Sequence, residues 1–194
     1  MEAGIKATTY TDMNLGALAI MGVTIEWVLF SMSETEPKPF LLKASEIAEK
    51  SATFSHPWNA NSEINGTHLS PLVGLKRTGI SLAKILPGKE SFIYHAHHRE
   101  EEWIYILSGK GIAEIDEQEF KVAEGDFMGF PTPSVAHHLR NPFSEPLVYL
   151  MGGENLDIEI ADFPRLGKRM LRLNGEVEIY DTSDAQSFES VIDT

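Results

Sequence analysis

The sequence predicts an all-β domain, an antiparallel sandwich or barrel, preceded by an N-terminal arm that carries one short helix. Three observations point there. From about residue 76, short runs rich in Ile, Val, Phe and Tyr alternate with glycine or proline punctuation. The runs recur at near-regular spacing with no helical stretch between them. Farther on, Asn174-Gly175 separates two alternating runs, the pattern of a two-residue hairpin. A chain of 194 residues suits one such domain with extensions.

Residues 1–39 read as an N-terminal extension and linker. Within them LGALAIMGVTIEWVLF (15–30) is apolar except for Thr24 and Glu26. Sixteen residues are short for a membrane span, and only Lys6 precedes them, so a signal peptide's basic flank is missing. Met32 opens MSETEPKPF, which reads like the start of a soluble chain. Residues 1–31 are open to three readings: an upstream extension without function, a packed or partner-binding helix, or a targeting segment. They are set aside from the fold.

Residues 40–75 read as an arm packing on the barrel. LLKASEIAEK (41–50) places apolar side chains at 41, 42, 44, 47 and 48, a short amphipathic helix. Residues 55–75 hold Pro57, Pro71, Gly66, Gly74 and three Asn, and predict an irregular path. Residues 76–160 predict the barrel, with strands near 78–86, 91–97, 102–107, 111–115, 118–123, 126–130, 135–140 and 146–151. Turns fall at Pro87-Gly88, Ser108-Gly109, Asp116-Glu117, Glu124-Gly125, Pro131 to Pro133 and Asn141-Pro142. Residues 161–194 read as a C-terminal hairpin and tail.

A net charge of -13 and a pI near 4.9 oppose binding to phosphate backbones and anionic membranes, so neither nucleic acid nor membrane is an expected partner. The chain has no cysteine. Disulfides, thiolate ligands and cysteine nucleophiles are excluded, and any metal must be held by His, Asp or Glu. The expected location is cytoplasmic.

The chemistry concentrates in YHAHHREEEW (94–103), with three histidines and three glutamates inside eight positions. Side chains on a strand alternate faces. In 91–97, Ser91, Ile93, His95 and His97 share one face, and the two histidines stand about 7 Å apart along it. In 102–107, Glu102 shares a face with Ile104 and Ile106 and so points inward, where a carboxylate is costly without a cation. In 134–141, Val135, His137 and Leu139 share the interior face, while His138 and Arg140 face solvent. His98 points away from His97, and Glu100 and Glu101 sit in a solvated turn. Three inward imidazoles and one inward carboxylate, His95, His97, His137 and Glu102, suit a divalent first-row metal.

These residues also carry a family resemblance. Gly88, His95-x-His97, Glu102 and Gly109 resemble the first signature of the cupin family, and Gly125, Pro131, His137 and Asn141 its second. The resemblance covers roughly residues 76–152. It implies a double-stranded β-helix, a small jelly-roll cupin barrel, with one divalent transition metal in its mouth held by His95, His97, Glu102 and His137. Fe, Mn, Zn and Ni are not distinguished. Three positions depart from the family pattern. Six residues, not five, separate Gly88 from His95, Pro133 stands where glycine is usual, and one extra residue lies between Pro131 and His137. Proline cannot take the positive φ open to glycine, so the 131–136 loop follows another path, and His138 stays an alternative to His137 as the fourth ligand.

The resemblance implies a small-molecule substrate or ligand and a homodimer. The expected function is that of a metal-dependent enzyme on a small polar molecule, of the oxygenase or the isomerase and epimerase type. The alternatives are a non-catalytic barrel binding a sugar or signal molecule, and a metal serving stability alone. His98, His138, Tyr94, Tyr105 and Tyr149 are candidates to line or flank the cavity, and Phe40, Trp58 and Leu72 to cross to a partner barrel.

Overall fold

A computed structural model of the chain describes residues 38–186. The expectations for the apolar run 15–30, for Met32 and for the last residues of the tail lie outside the described residues. Among the described residues no helix is long and apolar enough to cross a membrane.

The first element among the described residues is a six-residue helix, α1 (Ala44–Glu49), whose first turn is tied by the Glu46 carboxylate accepting the Lys43 N–H at 2.6 Å. It lies within the expected stretch 41–50, with Ser45 near its start, and Leu41 precedes it, exposed. The arm that followed was expected to be irregular. It instead contributes two strands, β1 (Ala52–Phe54) and β2 (Ile64–His68), which pair antiparallel with each other, and β2 pairs in turn with β3 (Thr78–Ile85). Pro57, Asn59 and Asn61 occupy the connection between them, so the turn residues punctuate short strands that propensity alone does not reveal.

The remaining strands are β4 (Ala96–His97), β5 (Glu102–Ser108), β6 (Lys110–Ile115), β7 (Gln118–Ala123), β8 (Phe127–Phe130), β9 (His137–Arg140), β10 (Leu147–Glu154), β11 (Ile158–Phe163), β12 (Lys168–Leu173) and β13 (Glu176–Asp181). They form three sheets, in the orders β1-β2-β3-β10-β5-β8, β7-β6-β9 and β13-β12-β11-β4. The main core lies between the first two. Ile85, Ile106, Leu147 and Tyr149 reach it from the six-stranded sheet, and Ala113, Val122 and Leu139 from the three-stranded one. A second core lies on the C-terminal sheet, where Ile93, Ala161, Phe163 and Met170 pack with Trp58. Trp58 stands edge-on to Phe163 at 5.5 Å, so this arm residue packs on its own chain.

The expected strand 91–97 shrinks to Ala96–His97 because its residues serve both cores. Phe92 packs on the main core and Ile93 on the second, while His95, of the same parity as Ile93, lines a cavity of the main core, which breaks simple alternation. Strand β11 was not anticipated. The turns were. Asn174 (φ 51°) and Gly175 (φ 87°) close the β12–β13 hairpin, with Leu173 opposite Glu176. Gly109 has φ 82°, and a Cβ there would lie 2.2 Å from the Pro146 carbonyl oxygen, so glycine meets both a conformational and a steric demand.

Inward and outward positions on β5 differ in consequence. Ile106→Ala, at a fully buried position, is expected to cost about 2–5 kcal/mol in urea unfolding. Leu107→Ala, at 40% exposure, is expected to cost under about 1 kcal/mol.

Candidate metal centre

Four predicted residues meet at the open end of the main core. Glu102 begins β5, opposite Phe130 of β8 and Gly153 of β10. Its Oε2 is approached by three imidazole Nε2 atoms: His137 at 3.0 Å, His97 at 3.5 Å and His95 at 3.9 Å. His95, His97 and Glu102 offer ligand atoms all within 4.8 Å of one another. His137 joins them through Glu102. Phe130 stacks on the His137 ring at 3.6 Å and 5°, which fixes its plane.

The backbone delivers these groups from opposite sides. His95 and His137 form an antiparallel bridge, with reciprocal N–H···O bonds of 2.8 and 3.2 Å. The departing 131–136 loop contains a cis Thr132–Pro133 bond. It returns Ser134 to the His97 backbone: the His97 N–H donates to Ser134 Oγ at 2.7 Å, and the Ser134 N–H to the His97 carbonyl at 2.7 Å. The extra loop residue therefore leaves His137 beside Glu102.

The second nitrogen of each ring decides whether a cation fits. His95 Nδ1 meets the Ile93 carbonyl at 2.7 Å, His137 Nδ1 the Val135 carbonyl at 3.1 Å, and His97 Nδ1 the Glu159 carboxylate at 3.2 Å. All three partners are acceptors, so each Nδ1 carries a proton. A neutral ring held this way turns its Nε2 lone pair toward Glu102. Lone pairs repel a carboxylate, and a proton or a divalent cation between them removes the repulsion. Ligand atoms of one ion, with bonds of about 2.1 Å, lie within about 4 Å of one another, so closing on an ion takes only small side-chain shifts. The donor set fits a divalent transition metal.

Electrostatics follow the same layout. Burial opposes charge on Glu102, but the hydrogen bonds and charge of His137 and His97 outweigh it and hold its carboxyl well below the usual range. Burial, then the neighbouring His137 and His97, draws the His95 pKa down to about 3. Burial also opposes charging His97, yet the flanking Glu102 and Glu159 carboxylates raise its pKa to about 10.

Two sequence expectations need correction. His138 was placed near solvent. It is buried, on the face away from Glu102, with Nδ1 3.3 Å from Glu114 and Nε2 3.8 Å from Glu90, and its ring edge-on to Tyr94. The Arg165 guanidinium lies over Tyr94 at 4.1 Å and Arg165 pairs with Glu114. Glu100 was assigned to a solvated turn. It is buried, paired with Arg172 and accepting the Leu156 N–H at 2.7 Å. Tyr105 is exposed on the outer sheet face. His98 turns away from the cluster, with Nε2 2.9 Å from Asp162.

Glu159 was missed. It is fully buried beneath His97, and β11 went unrecognised. The signal was present, since Glu159 shares strand parity with Ala161 and Phe163, the pattern that singled out Glu102.

Residues 81–153 match the family described as Cupin domain. A crystal structure from Acidithiobacillus ferrooxidans, provisionally described as a sugar phosphate isomerase, is 41% identical, with 77% of this chain and 96% of that one covered and a TM-score of 0.74. A cupin-superfamily sugar phosphate isomerase from Silicibacter pomeroyi shares the fold at 20% identity, covering 65% and 82% of the two chains with a TM-score of 0.60. An uncharacterized protein of Methanocaldococcus jannaschii is 37% identical over 71 residues, which is 36% of this chain and 56% of that protein. The chain belongs to the cupin superfamily, and its sheets form the jelly-roll barrel of that family.

Without a bound ion, His97 is charged at neutral pH. A histidine whose folded pKa lies above its unfolded value of about 6.5 adds stability that is full below that value and lost as pH rises through the folded one. In EDTA, melting temperature is expected to fall between pH 7 and 10 more steeply for the wild type than for His97→Gln. Parallel profiles would contradict this placement of charge.

Proposed function

We propose that this chain is a metal-dependent isomerase acting on small hydroxycarbonyl compounds of the sugar phosphate class. One observation carries the reading: three imidazoles and a carboxylate face one point at the mouth of a cavity whose wall holds a buried tyrosine hydroxyl without a hydrogen-bond partner. That cavity is lined by Phe92, Ile104, Met151 and Tyr149 beside His95 and Glu102. The 41% identical relative provisionally described as a sugar phosphate isomerase supports the choice of reaction.

His95, His97, Glu102 and His137 would hold the ion. When bound, a divalent cation polarises the adjacent oxygens of a hydroxycarbonyl and stabilises the charge that develops as hydrogen moves between neighbouring carbons. The remaining groups act on orientation and water. Tyr149 is 1% exposed, and its hydroxyl finds no hydrogen-bond partner. Burial, reinforced by the Glu102 charge, raises its pKa, so the phenol stays protonated and can donate to a substrate oxygen. An unmade bond at a buried hydroxyl costs about 1–3 kcal/mol, which a bound ligand oxygen would recover. Phe92, Ile104 and Met151 exclude water around that contact.

The homodimer belongs to this proposal. Phe40 is fully exposed and Leu41 largely so, and Tyr105 and Phe127 lie bare on the outer sheet face. Those apolar groups would be covered by a second copy. Light scattering at micromolar concentration is expected to show twice the chain mass, and a monomer would end the idea.

Elemental analysis of purified protein is expected to find about one divalent ion per chain, lost in His97→Ala. With a panel of sugar phosphates followed by NMR, His97→Ala should lose at least 100-fold in turnover. Tyr149→Phe should keep its ion and fold and lose about tenfold in kcat/KM, as one hydrogen bond implies. Full turnover by His97→Ala would overturn the metal-dependent reading. A ligand-dependent rise in melting temperature without product would indicate a binding barrel instead.

A further inference from the structure

Glu159 is a carboxylate with no solvent exposure in a strand that lies outside the matched cupin segment, 81–153. Burying such a charge is costly unless something nearby requires it. Its Oε1 faces His97 Nδ1 at 3.2 Å and accepts the backbone N–H of His98 at 3.1 Å, with the Arg99 N–H as a further donor. Its Oε2 is buried without a partner. The carboxylate is thus spent on one ring and the two peptide groups that follow it.

The strand carrying Glu159 also carries the His97 backbone. β11 pairs with β4 in the register Ala161 to His97 and Asp162 to Ala96, and the His98 N–H donates to the Ile160 carbonyl at 2.9 Å. Arg172, opposite Glu159 on β12, pairs with Glu100, which with Glu102 and Glu159 makes three carboxylates close to His97. That pairing leaves Glu159 as the anion engaging the His97 Nδ1 proton. His95 and His137 rest on neutral backbone carbonyls at the same position, so the three imidazoles are not equivalent.

We propose that Glu159 is a positioning residue for the metal centre: it fixes the His97 ring with Nε2 toward Glu102, makes that imidazole the most basic donor of the three, and so makes the C-terminal sheet an integral part of the site. A carboxylate behind a ligating imidazole strengthens it as a donor, and loss of such a partner typically costs 10–100-fold in metal affinity. With Glu102, it also supplies the two negative charges that balance one divalent ion. The inference rests on the metal-site reading of His95, His97, Glu102 and His137.

The test is titration of the EDTA-stripped protein with Mn²⁺ and Ni²⁺ by calorimetry, for the wild type, Glu159→Gln, Glu159→Leu and Asp162→Asn. Glu159→Gln keeps shape and acceptor but loses the charge, and is expected to weaken Kd about tenfold. Glu159→Leu is expected to weaken it about 100-fold, and Asp162→Asn to leave it within threefold. A merely structural role would lower the metal-free melting temperature without this graded loss. The NMR signal of the His97 Nδ1 proton gives a readout that needs no metal: it should be protected from exchange in the wild type and not in Glu159→Leu, which has no acceptor. Folded Glu159 variants with wild-type Kd and a protected proton would overturn the positioning role alone. Absence of binding by the wild type would overturn the site reading together with it.

Discussion

A carboxylate inside a β-barrel is the constraint on which the rest of this site depends. Glu102 takes an inward position on β5 in line with Ile104 and Ile106, where its charge has lost most of its water. Only donors brought from other strands can compensate it. Three imidazoles do so, each from a segment distant from β5 in hydrogen-bonding order. Their far nitrogens are all engaged by acceptors, so the near nitrogens have one direction left to face.

That requirement explains why three sheets and two cores converge at the site. His95 and His137 are joined by a bridge between β9 and the segment that leads into β4. His97 belongs to the C-terminal sheet through β11 and to the 131–136 loop through Ser134. The proline that departs from the family pattern sits in that loop, whose altered path returns a serine to the His97 backbone. Variation at the barrel mouth therefore coincides with support for a site residue. Its effect on access to the cavity is a consequence of the same path.

The opposite face of β9 shows the cost of a second imidazole placed inside. His138 is enclosed by Glu90, Glu114, Tyr94 and Arg165, and it also borders the cavity that His95, Glu102 and Tyr149 line. Adjacent histidines on one strand thus serve unlike ends. One meets Glu102, the other Glu114 and Glu90.

The sequence by itself determined the strand texture, the two-residue hairpin at Asn174-Gly175 and the inward parity of Glu102 and His137, because alternation and turn chemistry are local. It also held a family signature across 76–152, since spacing along the chain survives when side chains vary. Tertiary structure alone decided that Ser91 to Tyr94 would divide between two cores, that β1 and β2 would extend the large sheet, and that His138 and Glu100 would be buried. Those outcomes depend on partners tens of residues away, such as Arg172 for Glu100 and Arg165 for the His138 face. Glu159 lies between the two cases. Its inward parity is local, but its position beneath His97 exists only once β11 pairs with β4, a contact that joins residues more than sixty positions apart.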